Sequence, residues 1–159
     1  MEPKEFEQWS RVAVERASEL VHDALPASQQ PSLAKTKRSV RGGIGFISRF
    51  VHFRHPGLPA DRAVWVYAVP AGHAYDFKPP HARVGAGLMQ DAANELDQSR
   101  WGSGLDKSYD WSWKSHIDLR YEGWRLAIKV DPDADSPEAR ADELAAQVLK
   151  GLRSAGLIA

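Results

Sequence analysis

The chain has 159 residues and no cysteine, so it can bury a core without disulfides, and thiolate metal sites and cysteine nucleophiles are excluded. Lysine plus arginine number 21 and so do aspartate plus glutamate, which leaves no net field to steer the protein toward polyanions. No apolar stretch approaches the roughly 20 residues of a membrane helix, and the acidic N-terminus is unlike a signal peptide. We therefore expect one cytoplasmic domain over residues 1–159 that does not enter a membrane.

The first expected element is a helix over residues 4–25, because apolar side chains recur there at steps of three and four. Pro3 suits its first turn and Pro26 ends it. The stretch that follows, PASQQPSLAKTKR, is rich in turn-forming residues and predicts an exposed connection. The expected buried stripe of the helix is Phe6, Trp9, Ala13, Ala17, Leu20, Val21 and Ala24.

Two strands and a further helix are expected next. Residues 40–55 are rich in β-branched and aromatic side chains, and the glycines at 42, 43 and 45 indicate a bend or bulge at the start of this strand. Residues 63–69 (AVWVYAV) predict a strand that is buried on both faces. A loop is expected over residues 70–81. The apolar spacing over residues 82–98 then predicts a helix, although Gly85 and Gly87 disfavour it.

A β-hairpin is predicted over residues 115–130, because apolar and polar side chains alternate on both sides of Glu122-Gly123. Glycine in the second position of a two-residue turn supplies the positive φ that such turns require. This turn fixes the register, and all the apolar pairs then share one face of the hairpin. The expected pairs are Tyr121 with Trp124, Leu119 with Leu126, and Ile117 with Ile128.

The last element is a helix that begins at Ser136-Pro137-Glu138, where a serine N-cap, a first-turn proline and an acid near the positive end of the helix dipole coincide. Taken together, the elements predict an α+β fold, with an antiparallel sheet of about four strands flanked by N- and C-terminal helices. The strand order cannot be read from the sequence. The expected buried stripe of the last helix is Leu144, Ala145, Val148, Leu149, Leu152 and Ala155.

The leading functional hypothesis is a non-catalytic module that binds a protein partner. In the predicted hairpin Arg120 lies opposite Arg125, a like-charge pair that is unfavourable unless an anionic group is close. Residues 99–115 concentrate large aromatic side chains, which are frequent anchors of protein interfaces. The predicted partner-binding residues are Trp101, Tyr109, Trp111, Trp113, His116, Arg120, Arg125 and Lys129.

A structural interpretation of the same residues stays open. The aromatic side chains could fold inward and cap the sheet, and Trp111 and Trp113 could extend the strand that begins at Ser115. The charged face could equally be a solvated sheet surface on which Asp118 balances the arginines.

Two other classes of function stay open as well. A small-molecule enzyme or ligand carrier would use a pocket between the sheet and the helices, with His116 and Asp118, and His73 or His81, as acid/base candidates. A nucleic-acid-binding protein would use a basic segment that is interleaved with phenylalanines. The cations of this segment are Lys35, Lys37, Arg38, Arg41, Arg49 and Arg54.

No motif completes a catalytic or metal site. The sequence has no Gly-x-Ser-x-Gly elbow and no phosphate-binding Gly-x-x-x-x-Gly-Lys loop. His52 and His55 lie three positions apart in a predicted strand, so their side chains would point to opposite faces, and no third ligand follows at a fixed spacing. We therefore predict no catalytic residue, no metal and no cofactor.

Overall fold

The computed structural model describes residues 1–41, 44–54, 62–71, 81–88, 110–116, 121–154 and 158. An antiparallel sheet is flanked along the chain by an N-terminal and a C-terminal helix, which confirms the predicted α+β class. The elements in chain order are α1 (Pro3–Ala24), a 3₁₀ turn (Ala27–Gln29), β1 (Ser32–Leu33), β2 (Lys37–Arg41), β3 (Ile44–Phe53), β4 (Arg62–Val69), β5 (Ala82–Leu88), β6 (Asp110–His116), β7 (Tyr121–Val130) and α2 (Pro137–Ser154).

Within the described residues the sheet has seven strands, more than the roughly four expected, and all of their pairings are antiparallel. From β3 the order runs β3–β4–β5–β7–β6, and the short strands β1 and β2 both pair with the other side of β3. β2 and β3 form a hairpin, so the expected long strand over 40–55 is divided near its glycines, of which 42 and 43 lie outside the described residues.

The two helices contact each other, and both pack on the sheet. α1 contacts mainly β3 and β4, whereas α2 contacts β5 and β7. The main core lies between them and one face of the sheet, and it includes Trp9, Val51, Val66, Leu126 and Leu144. Burial of these side chains is the dominant stabilising term of such a fold.

The helix stripes follow the expected spacing with a few differences. In α1 the expected core residues Trp9, Ala13, Ala17 and Val21 are buried, whereas Leu20 and Ala24 are exposed. Ser10, Val14 and Ser18 take part in the buried stripe instead. In α2 Leu144, Ala145, Val148 and Leu152 are buried, Leu149 is partly buried and Ala155 lies outside the described residues.

The predicted cap of α2 is confirmed by a hydrogen bond of 3.2 Å from the backbone N–H of Ala139 to Ser136 Oγ. The expected exposed connection after α1 is partly wrong, because Gln29 is buried there. Its side-chain amide donates to the Arg54 carbonyl at 2.8 Å, and the Arg54 backbone N–H donates to the Gln29 carbonyl at 2.7 Å. The expected strand over 63–69 is confirmed as β4, and each of these residues is buried.

The predicted helix over 82–98 is wrong for its first part, which is the central strand β5, and residues 89–98 lie outside the described ones. Ala82, Val84 and Ala86 alternate into the main core, so the apolar spacing fits a two-residue period as well as a helix. On the other face the Tyr67 ring crosses Gly85 so closely that a Cβ at this position would collide with its Cζ and hydroxyl oxygen. Glycine therefore serves the strand packing here.

The predicted hairpin register is also wrong. β7 runs without interruption through Glu122 and Gly123, which lie opposite Ser115 and Lys114 of β6 instead of forming a turn. Trp113 therefore lies opposite Trp124, and Trp111 lies opposite Leu126. The predicted and the observed register both place odd-numbered apolar residues opposite even-numbered ones. The alternation of apolar and polar residues is therefore consistent with either register.

Candidate functional site

A cleft with a cavity volume of about 1020 Å³ opens at the end of the sheet where α1 begins. The first turns of α1 form one wall, and the ends of the neighbouring strands form the others. The described residues that line it are Met1, Pro3, Lys4, Phe6, Glu7, Ser10, Arg38, Gly45, Phe46, Ile47, Pro70, Ala71, His81, Ala82, Val130, Asp131, Pro132 and Asp133.

The walls of the cleft are mainly apolar. The main core continues to the surface of the cleft through Ile47 of β3, Ala82 of β5 and Val130 of β7, and the partly buried Phe6 of α1 packs against it. Phe6 stacks on Trp9 with ring centroids 6.1 Å apart and an angle of 12° between the planes. An apolar concavity of this volume with a few polar groups is the usual form of a small-molecule site.

An ion pair ties α1 to the edge of the sheet beside the cleft. Arg38 Nε of β2 lies 2.7 Å from Glu7 Oε1 of α1. To reach it the guanidinium passes over Gly45, where a Cβ would lie 3.1 Å from Arg38 Nη2. Lys4, also in the lining, forms no ion pair within the described part of the chain. Charge at the mouth is therefore mixed in sign and partly neutralised.

The opposite rim is the turn over residues 131–136, which its own side chains hold in place. The carboxylate of Asp135 accepts the backbone N–H of Asp131 at 2.8 Å, and Asp131 Oδ1 accepts the backbone N–H of Asp133 at 3.1 Å. Trp9 Nε1 donates to the Asp135 carbonyl at 2.9 Å and so fixes α1 to this rim.

The Asp135 carboxylate also accepts a hydrogen bond from Arg140 Nη2 at 3.1 Å, and its other oxygen lies 3.1 Å from Arg140 Nε. The hydrogen bond from Arg140, helped by the backbone N–H of Asp131, lowers the pKa of Asp135 below its ordinary value. The same hydrogen bond, with the one that Arg140 donates to Glu143, raises the pKa of Arg140. The Asp135 carboxylate at the rim is therefore ionised at neutral pH.

The deepest polar group in the wall is the hydroxyl of Ser10. The residue is 0% exposed, and Ser10 Oγ has no hydrogen-bond partner among the described residues. One feature of the sequence marks this residue. Ser10 follows Phe6 by four positions and precedes Val14 by four, so a polar residue occupies the apolar stripe of α1.

The predicted partner-binding residues are only partly within the described chain. Trp101, Tyr109 and Arg120 lie outside it. For Trp111, Trp113, His116 and Arg125 the structure describes the strand position and register but not the side chain. The expected pair Arg120–Arg125 is wrong, because Arg125 lies opposite Ser112 in β6 and Gly87 in β5. His116 lies opposite Tyr121, and the exposed Lys129 lies opposite Arg83.

The predicted basic segment is divided by the sheet. Arg38 pairs with Glu7, and Arg49 donates to the Ala34 carbonyl at 2.8 Å and lies 3.5 Å from Glu19 Oε1. Lys37 and Arg38 are neighbours in β2, so they point to opposite faces. Lys35, Lys37 and Arg54 are exposed, and the side chain of Arg41 lies outside the description. These positions do not gather the cations on one surface.

The histidines do not converge on a metal site within the described residues, where no group of three potential ligands occurs. His52 stacks on Phe50 with ring centroids 5.9 Å apart, whereas His81 lines the cleft. His55, His73 and Asp118 lie outside the described residues. In the described chain, neither helix is long and apolar enough to span a bilayer.

No protein-family model, curated protein or solved structure matches this chain. The cleft is therefore the feature from which a function can be inferred.

Proposed function

We propose that this domain binds a small organic molecule with an apolar body in the cleft between α1 and the end of the sheet. The observation that carries the proposal is the cleft, with its volume of about 1020 Å³ and walls from α1, β3, β5 and β7. A small-molecule site between the sheet and the helices is one of the alternatives that the sequence left open.

The arrangement suits binding because two side-chain contacts hold α1, one wall of the cleft, in place without a ligand. The Trp9–Asp135 hydrogen bond and the Arg38–Glu7 ion pair hold α1 to opposite sides of the opening. A preformed site loses little conformational freedom when a ligand enters, so apolar burial is retained as affinity. A molecule with an apolar body would gain roughly 25 cal/mol for each Å² of its surface that leaves water.

Protein-partner binding through the tryptophan segment stays a prediction. One of its supports has gone, because the observed register removes the facing Arg120 and Arg125 pair. Nucleic-acid binding through residues 35–54 also stays a prediction, without support from the placement of its cations. The cytoplasmic location expected from the N-terminal sequence stays a prediction too.

The test is titration with N-phenyl-1-naphthylamine, an uncharged apolar probe whose fluorescence rises when it leaves water. We expect saturable one-to-one binding, with amide chemical-shift changes at Glu7, Ser10, Ile47 and Ala82 and none at the exposed Lys129. Binding that does not saturate, or shift changes away from these residues, would refute a binding cleft.

A blocking variant and a matched control sharpen the test. Ala71 is exposed and lines the cleft, so Ala71→Trp should narrow the opening without disturbing the core. Ala146 is equally exposed but lies on α2 and is not in the lining. We expect Ala71→Trp to weaken probe binding about tenfold or more, a loss of about 1.4 kcal/mol, and Ala146→Trp to leave it unchanged. Equal effects would show that the probe binds elsewhere.

A further inference from the structure

Two serines of α1 have the same burial but different surroundings. Ser10 and Ser18 are both 0% exposed. The hydroxyl of Ser18 donates to the Glu15 carbonyl at 3.0 Å, as a serine within a helix commonly does. The hydroxyl of Ser10 has no partner within the described chain, and it stands in the wall of the cleft. Of the two serines, only Ser10 is among the residues that line the cleft.

A buried hydroxyl without a partner is unfavourable by about 1–3 kcal/mol, and native proteins leave few such groups. Alanine would be the stabilising choice at position 10 if the helix had only to pack, since alanine has the highest helix propensity and no polar atom. A hydrogen bond from a molecule inside the cleft would remove this cost at Ser10.

The surroundings of Ser10 select the chemistry of that molecule. The apolar residues that line the cleft together with Ser10 include Phe6, Ile47 and Val130, which offer no charge compensation. Of the charged lining residues of α1, Glu7 is already paired with Arg38, and Lys4 is an exposed residue of the first turn, six positions before Ser10. A charged ligand group would lose its hydration here without a counter-charge, whereas a neutral group would need only one hydrogen bond. A serine hydroxyl can both donate and accept that bond.

We infer that Ser10 anchors one neutral polar group, a hydroxyl or a carbonyl, of an otherwise apolar ligand. The ligand class is that of hydrophobic alcohols, phenols and ketones rather than charged amphiphiles. This inference rests on the proposed binding cleft and adds to it the residue that recognises the ligand.

The experiment uses a matched pair of compounds, 2-naphthol and 2-methylnaphthalene, which have the same ring system and differ in one polar group. Each displaces N-phenyl-1-naphthylamine from the wild type, Ser10→Ala and Ser18→Ala, and the ratio of the two dissociation constants is measured. We expect Ser10→Ala to reduce the preference for 2-naphthol about three- to tenfold, the value of one net hydrogen bond. Ser18→Ala should leave the ratio unchanged.

Thermal unfolding separates recognition from folding. Ser10→Ala removes no hydrogen bond of the described chain, so its melting temperature should equal or exceed that of the wild type. Ser10→Cys keeps the size of the side chain but bonds weakly, and its ratio should resemble that of Ser10→Ala.

The possible failures are distinguishable. If both compounds displace the probe and Ser10→Ala leaves the ratio unchanged, the anchor is overturned while the binding cleft stands. An equal change in Ser18→Ala would also overturn it, since the effect would then come from the helix as a whole. If the probe itself does not bind in the cleft, the proposed function fails and the anchor fails with it.

Discussion

The two halves of α1 lie along the same sheet but meet different surroundings. In the second half Ala13, Val14, Ala17 and Val21 are each no more than 2% exposed and pack within the main core. In the first half Pro3, Phe6 and Ser10 line the cleft. One continuous apolar stripe thus has a close-packed part and a part that faces open space.

The difference between the halves follows from side-chain size. Alanines at 13 and 17 allow the helix backbone to approach the sheet, because the distance between packed elements depends on the side chains at the contact. The first half has the bulky Phe6 and Trp9 instead, and Trp9 is bonded to the Asp135 carbonyl rather than to the sheet. A helix can therefore supply a core and a cavity wall with the same periodicity.

The largest expected effect comes from adding volume to each half. Ala17→Leu places extra methyl groups in a close-packed site and should lower the free energy of unfolding by about 1–3 kcal/mol. Ser10→Leu adds a similar volume at an equally buried residue that lines the cleft, so the longer side chain can extend into the cavity and should lower the free energy of unfolding by less than about 1 kcal/mol. Urea denaturation of both variants gives the comparison. Equal losses would mean that the first half is packed as closely as the second.

The tie between the first half of α1 and the rim has the next largest expected effect. Trp9→Phe removes the indole donor and leaves the Asp135 carbonyl without this bond of 2.9 Å. We expect a loss of about 0.5–1.5 kcal/mol in the free energy of unfolding, the usual net value of one hydrogen bond, together with weaker probe binding. Unchanged stability and unchanged probe binding would show that the tie does not shape the cleft.

The elements that the sequence predicted correctly are those whose signals are local. The cap at Ser136 and the proline at the start of α1 act within one turn, and the run of residues 63–69 is apolar on both faces. The wrong predictions concern β5 and β7, where the neighbouring strand determines the structure and the register. Gly85 correctly disfavoured a helix. The reason why this position needs glycine is the ring of Tyr67 in the neighbouring strand, which leaves no room for a Cβ.

The cleft illustrates the same limit. The sequence allowed a pocket between sheet and helices and named His81, which does line it. It did not indicate Phe46, Pro70 or Val130, because these residues meet only after the strands have paired in an order that the sequence does not reveal. Ser10 carried a local signal, a polar residue within an apolar stripe, but its meaning depends on the open space opposite.

The smallest expected effect comes from two arginine–aspartate pairs, one at the rim near the first half of α1 and one beside its second half. Arg140 holds Asp135 at the rim, and Arg16 Nε lies 2.7 Å from Asp142 Oδ1 beside the packed half. Arg140→Gln should lower the free energy of unfolding at neutral pH by up to about 1 kcal/mol. The lowered pKa of Asp135 gives stability that is present above its ordinary pKa of about 4 and lost as the pH falls through the lowered value.

The stability curves of the wild type and Arg140→Gln should therefore converge below about pH 4. The control is Arg16→Gln, where a hydrogen bond from Arg16 likewise lowers the pKa of Asp142. This second pair is more exposed, with 46% and 52% of its side chains accessible against 32% and 21%, so water and salt screen it more strongly. A larger loss for Arg16→Gln than for Arg140→Gln would show that the tie between the helices, rather than the rim, depends on charge.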